Sequence, residues 1–368
     1  MDKVYTIFVI NPGSTSTKIG LFRNETEVFS VNVTHDAAEL KKFAQISDQF
    51  DYRRDTILAE MARRGLAMAS VDVFVGRGGG LVGLEGGTYP VNDILLEHAR
   101  VGFTVKHPAT LGSQLAHAFA TQYGGRAFVV NPPDVDEMDE VARVCGFADL
   151  ARESRGHPLN QKEVGIRHGK RVGTPYEDLN LVIAHIGGGV SVTAHRKGRM
   201  VDTVDVINGD GPMAPTRCGA VPASGVVKLC FSGKFTEREM YDRITKNGGL
   251  VDHLGTSDVL EILERIGKGD AYAKLVYDAM IYQIAKYIGA YATVLSGEVD
   301  AILLTGGIAR ENYLVGEIRS RVNYIAPVHA YPGEFEMEAL ASGAYRVMTG
   351  QEQAKTYTGV PVWSHFSR

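Results

Sequence analysis

Cysteine is scarce: Cys145, Cys218 and Cys230 are the whole supply in 368 residues, form no C-x-x-C pair and cannot all pair with one another. That suits a reducing cytoplasm. Long apolar runs are missing too. The stretch from Val4 to Ile10 is too short for a signal sequence, and nothing reaches membrane-spanning length, so a cytoplasmic protein with no membrane partner is expected. No charge of one sign dominates. The net charge is −4 with acids and bases interspersed, which leaves no electrostatic footprint for nucleic acid and points to a small-molecule partner. What is plentiful is glycine, 42 residues clustered at 76–80, 83–87, 187–189, 248–249 and 306–307. Glycine clusters after β-like runs suggest close backbone approaches to one ligand. The length exceeds one ordinary core, so two domains are expected.

The stretch VYTIFVINPGSTSTKIGLF, 4–22, reads as a strand, a tight Asn-Pro-Gly-Ser turn and a second strand. Ser14, Thr15, Ser16 and Thr17 crowd hydroxyls onto the bend and Lys18 follows, so the turn is either an anion cradle or a polar surface hairpin. It lacks P-loop spacing. Helical spacing is read at 51–65, 92–100, 109–123, 134–145, 236–246, 257–266, 271–295, 311–322 and 336–349, and strands at 71–75, 126–130, 179–185, 190–195, 200–206, 301–305 and 324–331. Gly78 to Gly83 fits G-x-G-x-x-G by letters, but the LEGGTYP that follows cannot open a helix, as a dinucleotide site demands. Arg77 is left at a strand end between glycines, either solvated or open to a ligand. His157, in a Gly-His-Pro loop, reads by itself as a surface residue. The strand–glycine turn–strand pattern recurs at 179–195, with Gly187 about half the chain beyond Gly13, which a duplicated αβ domain would produce. Strand 301–305 enters Gly306-Gly307 and a helix, an arrangement that sets backbone N–H groups beside a nucleotide.

VINPGSTSTK at 9–18 and LVIAHIGGGVSVTA at 181–194 resemble the two signatures of the acetate and butyrate kinase family. Shorter matches follow in order: Arg77 in its glycine run, His157 before Leu159-Asn160-Gln161, Arg217 in Thr-Arg-Cys-Gly, Thr305-Gly306-Gly307-Ile308 with Asn312, and Glu336 before Ala339-Leu340-Ala341. The resemblance covers essentially the whole chain. It implies an α/β, duplicated ribonuclease-H-like (actin-like ATPase) fold with the active site in the cleft between two domains. Lobes are expected at 1–133 plus 336–368, binding acid and metal, and at 134–335, binding nucleotide. It further implies ATP + carboxylate ⇌ ADP + acyl phosphate, with Mg²⁺, and a homodimer or higher homo-oligomer. By that resemblance Asn11 and Glu336 hold the metal, Ser14, Ser16 and Lys18 line the phosphate end, and Arg77 binds the acid. His157 and Arg217 stabilise the phosphoryl in flight. His185, Gly187, Gly188 and Gly189 cradle the nucleotide phosphates, with Gly306, Gly307, Ile308 and Asn312 near the adenosine.

The chemistry agrees with that cast. A carboxylate with a pKa near ~4 to 5 is already ionised at pH 7 and needs no general base. The site must instead supply alignment and positive charge around the transferring phosphoryl. Two departures bear on the acid and on the charge network. Gly78 and Gly79 stand where acetate kinases carry valines, which enlarges the expected acid pocket and favours butyrate, at about 0.8 kcal/mol per extra buried CH₂. Thr-Arg-Cys-Gly keeps acetate and propionate open. Asn131 stands where an aspartate is usual, so this member of the catalytic network can orient a neighbour but adds no charge. The rival reading is a nucleotide-dependent regulator or chaperone-like ATPase of the same fold.

Overall fold

Ile7, Phe8, Val9 and Ile10 form an unbroken apolar run, and all four are fully buried, as in a strand covered on both faces. They lie in β1 (Thr6–Pro12), which turns back into β2 (Ser16–Arg23) and then β3 (Thr26–Thr34) as an antiparallel meander. β4 (Val73–Gly76) pairs with β1 in parallel; β5 (Thr88–Pro90) closes the far edge against β6 (Arg126–Val130), which runs parallel to β4. The sheet order is β3-β2-β1-β4-β6-β5. Helices Phe50–Arg63 and Thr110–Tyr123 cover one face, with Ile57, Met61, Leu111, Leu115 and Phe119 against Phe8, Ile10 and Phe74. Helix Glu336–Met348 packs against β1 and β6.

A second sheet repeats this plan. β7 (Asn180–Ile186), β8 (Val190–Arg196) and β9 (Arg199–Thr203) form another antiparallel meander. β10 (Ala301–Gly306) and β11 (Val328–Pro332) add in parallel beside β7, giving β11-β10-β7-β8-β9. The long helix Ala271–Val294 buries Ile281, Ile284 and Ile288 in this unit's core, and helix Pro158–Val172 packs on β7 and β10. A three-strand meander with parallel strands added beside its first strand occurs in both sheets, which is the duplication that the glycine spacing implied.

The computed structural model describes residues 3–366. They divide into two units, one running up to Asp136 and resuming at Phe335, the other Glu137–Glu334. Among the described residues no helix is long and apolar enough to cross a membrane. Three local readings are corrected. Strand β3 and helix Pro158–Val172 were not legible, and of 134–145 only Glu140–Arg143 is helical. The acids of that stretch are taken by distant partners: Asp134 accepts Leu81 N–H and Thr104 Oγ1, and the Glu137 carboxylate accepts both Lys162 Nζ and Met200 N–H.

Candidate active site

Register decides what meets in the first unit. Asn11 and Lys18 are partners across the β1–β2 ladder, Ile10 is opposite Gly76, and Arg77 N–H bonds the Ile10 carbonyl at 2.8 Å. The carboxyl ends of β1 and β4 therefore set Asn11 and Arg77 side by side, at the edge where open α/β sheets bind ligands. A cavity of about 350 Å³ opens there, lined in part by Asn11, Ser16, Lys18, Arg77 and Glu336. Its size falls in the small-molecule class. Asn11 Nδ2 donates to Glu336 Oε2 at 2.7 Å, and Arg77 Nη2 lies 3.7 Å from Glu336 Oε1. Glu336 opens its helix directly after Phe335, whose φ of 48° is strained for a bulky side chain.

The donor set at Asn11 and Glu336 suits Mg²⁺. With its amide nitrogen on Glu336, Asn11 keeps Oδ1 free to face a cation, and one amide oxygen plus one carboxylate is what Mg²⁺ takes when water and substrate phosphates complete its shell. Among the described residues no group of three or more His, Cys, Asp or Glu could hold a metal as a dedicated cage.

The same cavity leaves out several expected residues. Ser14 is exposed and Asn131 is buried away from it. Asn131 pairs reciprocally with Gly87: its Oδ1 accepts Gly87 N–H at 2.7 Å and its own N–H reaches the Gly87 carbonyl at 2.9 Å. Its φ of 38° explains the residue type, since asparagine tolerates the left-handed region better than most. Only its carbonyl oxygen, 3.5 Å from Arg77 Nη1, faces the arginine. Gly78 and Gly79 do not line the cavity either. A Cβ on Gly78 would stand 2.5 Å from Val129 Cγ1 and 2.9 Å from Pro132 Cβ, so the space freed there is already filled by neighbours.

Sequence reasoning missed His107, Ala109 and Pro133 in the cavity wall. His107 stands just ahead of helix Thr110–Tyr123 and is partly open. Its Nδ1 accepts Ala109 N–H at 3.1 Å; partial desolvation, then Arg77 and Arg53, hold its pKa below the ordinary value. A histidine three residues before a helix that opens on a packed glycine was the available signal.

In the second unit, Thr305 of β10 lies opposite His185 of β7 across the parallel β7–β10 pair, and the turn Gly187–Gly188–Gly189 joins β7 to β8. The His157 and His185 rings stack at 3.9 Å with 12° between planes. Asn160 directs its Nδ2 at the Gly333 and Glu334 carbonyls, so its Oδ1 accepts from His185 Nδ1 at 2.8 Å and sets that tautomer. Ser191 Oγ accepts from Gln161 Nε2 at 3.0 Å and shares a 2.7 Å hydrogen bond with His157 Nδ1, which fixes the orientation of that ring. Asn160 and Gln161, in the first turn of the helix after His157, are thus the positioning pair for both rings.

Arg217 lies against the glycine turn. A Cβ on Gly189 would stand only 1.6 Å from Arg217 Nη1, and Thr216 ties the turn by donating N–H and Oγ1 to the Gly188 carbonyl. Arg217 Nη1 is buried with no hydrogen-bond partner among the described residues, and burial lowers the arginine's pKa. An orphaned guanidinium N–H beside a glycine turn fits an oxyanion that arrives with substrate. Gly306, with φ 91°, crosses the Ile186 backbone where no Cβ would fit, and exchanges two hydrogen bonds with Gly333. Gly307 has open space beside it, Ile308 packs on the core and Asn312 is exposed. The next helix does not offer its first N–H groups, because the Glu311 carboxylate caps Tyr313 and Leu314.

The acetokinase family model matches residues 156–327. The chain is 46% identical over 353 residues to a probable butyrate kinase of Clostridium botulinum, covering 96% of this chain and 99% of the relative. It is 45% identical over the same span, with the same coverage of both chains, to butyrate kinase 2 of Clostridium acetobutylicum. Among solved structures, Porphyromonas gingivalis acetate kinase superposes with a TM-score of 0.76 at 18% identity, covering 95% of this chain and 100% of that one. A Francisella tularensis propionate kinase gives 0.70 at 18% identity, covering 92% and 98%. At that identity the two structures speak to the two-domain fold.

Proposed function

The chain belongs to the acetokinase family, and from that premise we propose that it phosphorylates butyrate, or a short acid close to it, with ATP. The observation that carries the choice of acid is near-full-length identity to two clostridial butyrate kinases. A carboxylate oxygen bonds to the γ-phosphorus as the bond to the β–γ bridging oxygen breaks; ADP leaves and no proton changes hands. Arg77 pairs with the carboxylate in the cavity beside Asn11 and Glu336. His157 and the orphaned Arg217 guanidinium donate to the equatorial oxygens of the phosphoryl. His185 and the glycine turn at 187–189 hold the nucleotide phosphates, with Gly306 to Ile308 and Asn312 toward the nucleoside. Mg²⁺ entering with ATP supplies positive charge to the phosphate oxygens, and Asn11 and Glu336 would hold it. Asn131 acts through the loop at Gly87 and the placement of Arg77.

Trapping the acyl phosphate with hydroxylamine across formate, acetate, propionate, butyrate and branched acids tests the reading. The highest kcat/KM is expected at butyrate or a branched four- to five-carbon acid. A maximum at acetate would overturn the choice of acid, and ATP turnover indifferent to every acid would favour the regulator instead.

A further inference from the structure

Arg53 heads the largest fully buried side chains of the molecule, at 0% exposure. It projects from helix Phe50–Arg63 beneath the turn between β1 and β2. Its guanidinium donates to Ser14 O (Nη2, 3.2 Å), Ser16 O (Nη1, 3.2 Å), Thr17 Oγ1 (Nη1, 3.1 Å) and Gln49 Oε1 (Nε, 3.0 Å). All four acceptors are neutral. A buried arginine stays charged, and without a carboxylate it is expensive to keep, so a purely structural role is better filled by an apolar side chain of similar volume. The residues it holds are those of the hydroxyl-rich bend, and Gly13, Ser16 and Lys18 of that bend line the cavity with Arg77.

We propose that Arg53 is a positioning residue for phosphoryl transfer: it draws the Ser14 and Ser16 carbonyls inward, so that the bend faces the cavity, and its charge, shared with no carboxylate, acts through the bend on the anion bound there. The inference rests on the kinase reading above.

Two further observations agree with it. Arg53 is among the charges that depress the His107 pKa, so its field reaches the cavity wall. His35, which bonds Thr17 Oγ1 at 2.8 Å and donates its backbone N–H to the Thr15 carbonyl, has its pKa lowered to about 4 by burial and by Arg53. The imidazole is neutral at pH 7, and the positive charge under the bend belongs to Arg53 alone.

The test uses full-length Arg53→Met and Arg53→Lys beside the unsubstituted protein, with kcat, the KM values for acid and ATP, and the thermal midpoint measured on each. Arg53→Met is expected to lower kcat at saturating substrates by about tenfold or more, while KM for the acid, which Arg77 binds, moves less than about threefold. Arg53→Lys keeps the charge but cannot bridge both carbonyls, and is expected to recover part of the lost kcat. A folded Arg53→Met with unsubstituted kcat overturns the inference. Should Arg53→Met not fold, unsubstituted kinetics in Arg53→Lys does the same, since the fork would then not be needed. Loss of the inference is distinct from loss of the kinase reading, which fails only if the unsubstituted protein shows no acid-dependent turnover.

Discussion

Arg217 and Gly189 are a single device made of two residues. The guanidinium occupies the volume that any side chain at 189 would fill, with Nη1 only 1.6 Å from the place of a Cβ. The atom in the way is the end of a flexible side chain, and Gly189 has no left-handed φ, so Gly189→Ala should fold and simply push the arginine aside. Under the proposed mechanism Gly189→Ala and Arg217→Ala should fail alike, each losing about 10³-fold in kcat, the scale of a transition-state arginine. Steady-state kinetics with circular dichroism as the folding control decides it. A Gly189→Ala protein within about threefold of the unsubstituted kcat would show that the observed arginine position is not the working one. Motif letters carried Arg217 and Gly189 as separate candidates; that the glycine exists for the arginine needed coordinates. Arg53 was wholly illegible, because the run Tyr52-Arg53-Arg54-Asp55 reads as a solvated helix face, and Arg54, with its ion pairs to Asp51 and Asp55, is the residue that behaves that way.

At the scale of elements, glycines act in opposite senses according to what faces them. In helix Thr110–Tyr123 a Cβ on Gly112 would stand 2.2 Å from the Arg77 carbonyl oxygen, and one on Gly76 would stand 2.0 Å from the Gly112 carbonyl oxygen. Backbone meets backbone, with no flexible atom to give way, so this helix sets the strand end that carries Arg77. Gly289 in helix Ala271–Val294 meets nothing within 4 Å. Gly112→Ala should therefore destabilise by about 1–3 kcal/mol and raise KM for the acid, whereas Gly289→Ala should stabilise by roughly 0.5–1 kcal/mol. Denaturant midpoints on both proteins are the measurement, and equal shifts would refute the close-packing account. The same physics marks what sequence pattern could show. The long helix was read at 271–295 because its apolar spacing is uninterrupted. Helix Pro158–Val172 was hidden by Gly165 and Gly169, which resemble breakers in the sequence but admit the Tyr176 ring and the Thr174 carbonyl at 2.6 Å from where each Cβ would be. β3 was hidden by its exposed, polar edge pattern.

For the molecule as a whole, both units carry buried histidines held neutral, which sets the direction of its acid sensitivity. In the first unit His35 has a pKa lowered to about 4, by burial and then Arg53. In the second, His168 is lowered to about 4 by burial, then Arg171 and His329, and His195 is pushed well down by burial and then Lys162. A folded pKa below the unfolded 6.5 means that, between those values, the unfolded chain binds a proton that the native chain refuses. The stabilisation is complete above about pH 6.5 and is lost as pH falls toward 4, at no more than ~1.4 kcal/mol per pH unit for each histidine. Burial raises the Asp202 and Asp205 carboxyls, which work in the opposite sense and offset part of the histidine contribution. Thermal midpoints at constant ionic strength should thus fall steadily from pH 7 to pH 5. His35→Gln, which can still bond Thr17 Oγ1 but takes up no proton, should flatten the slope in the first unit and leave that of the second intact. A midpoint that stays level over this range, or a His35→Gln protein with the full unsubstituted slope, would mean that these rings are solvated enough to be charged in the native state.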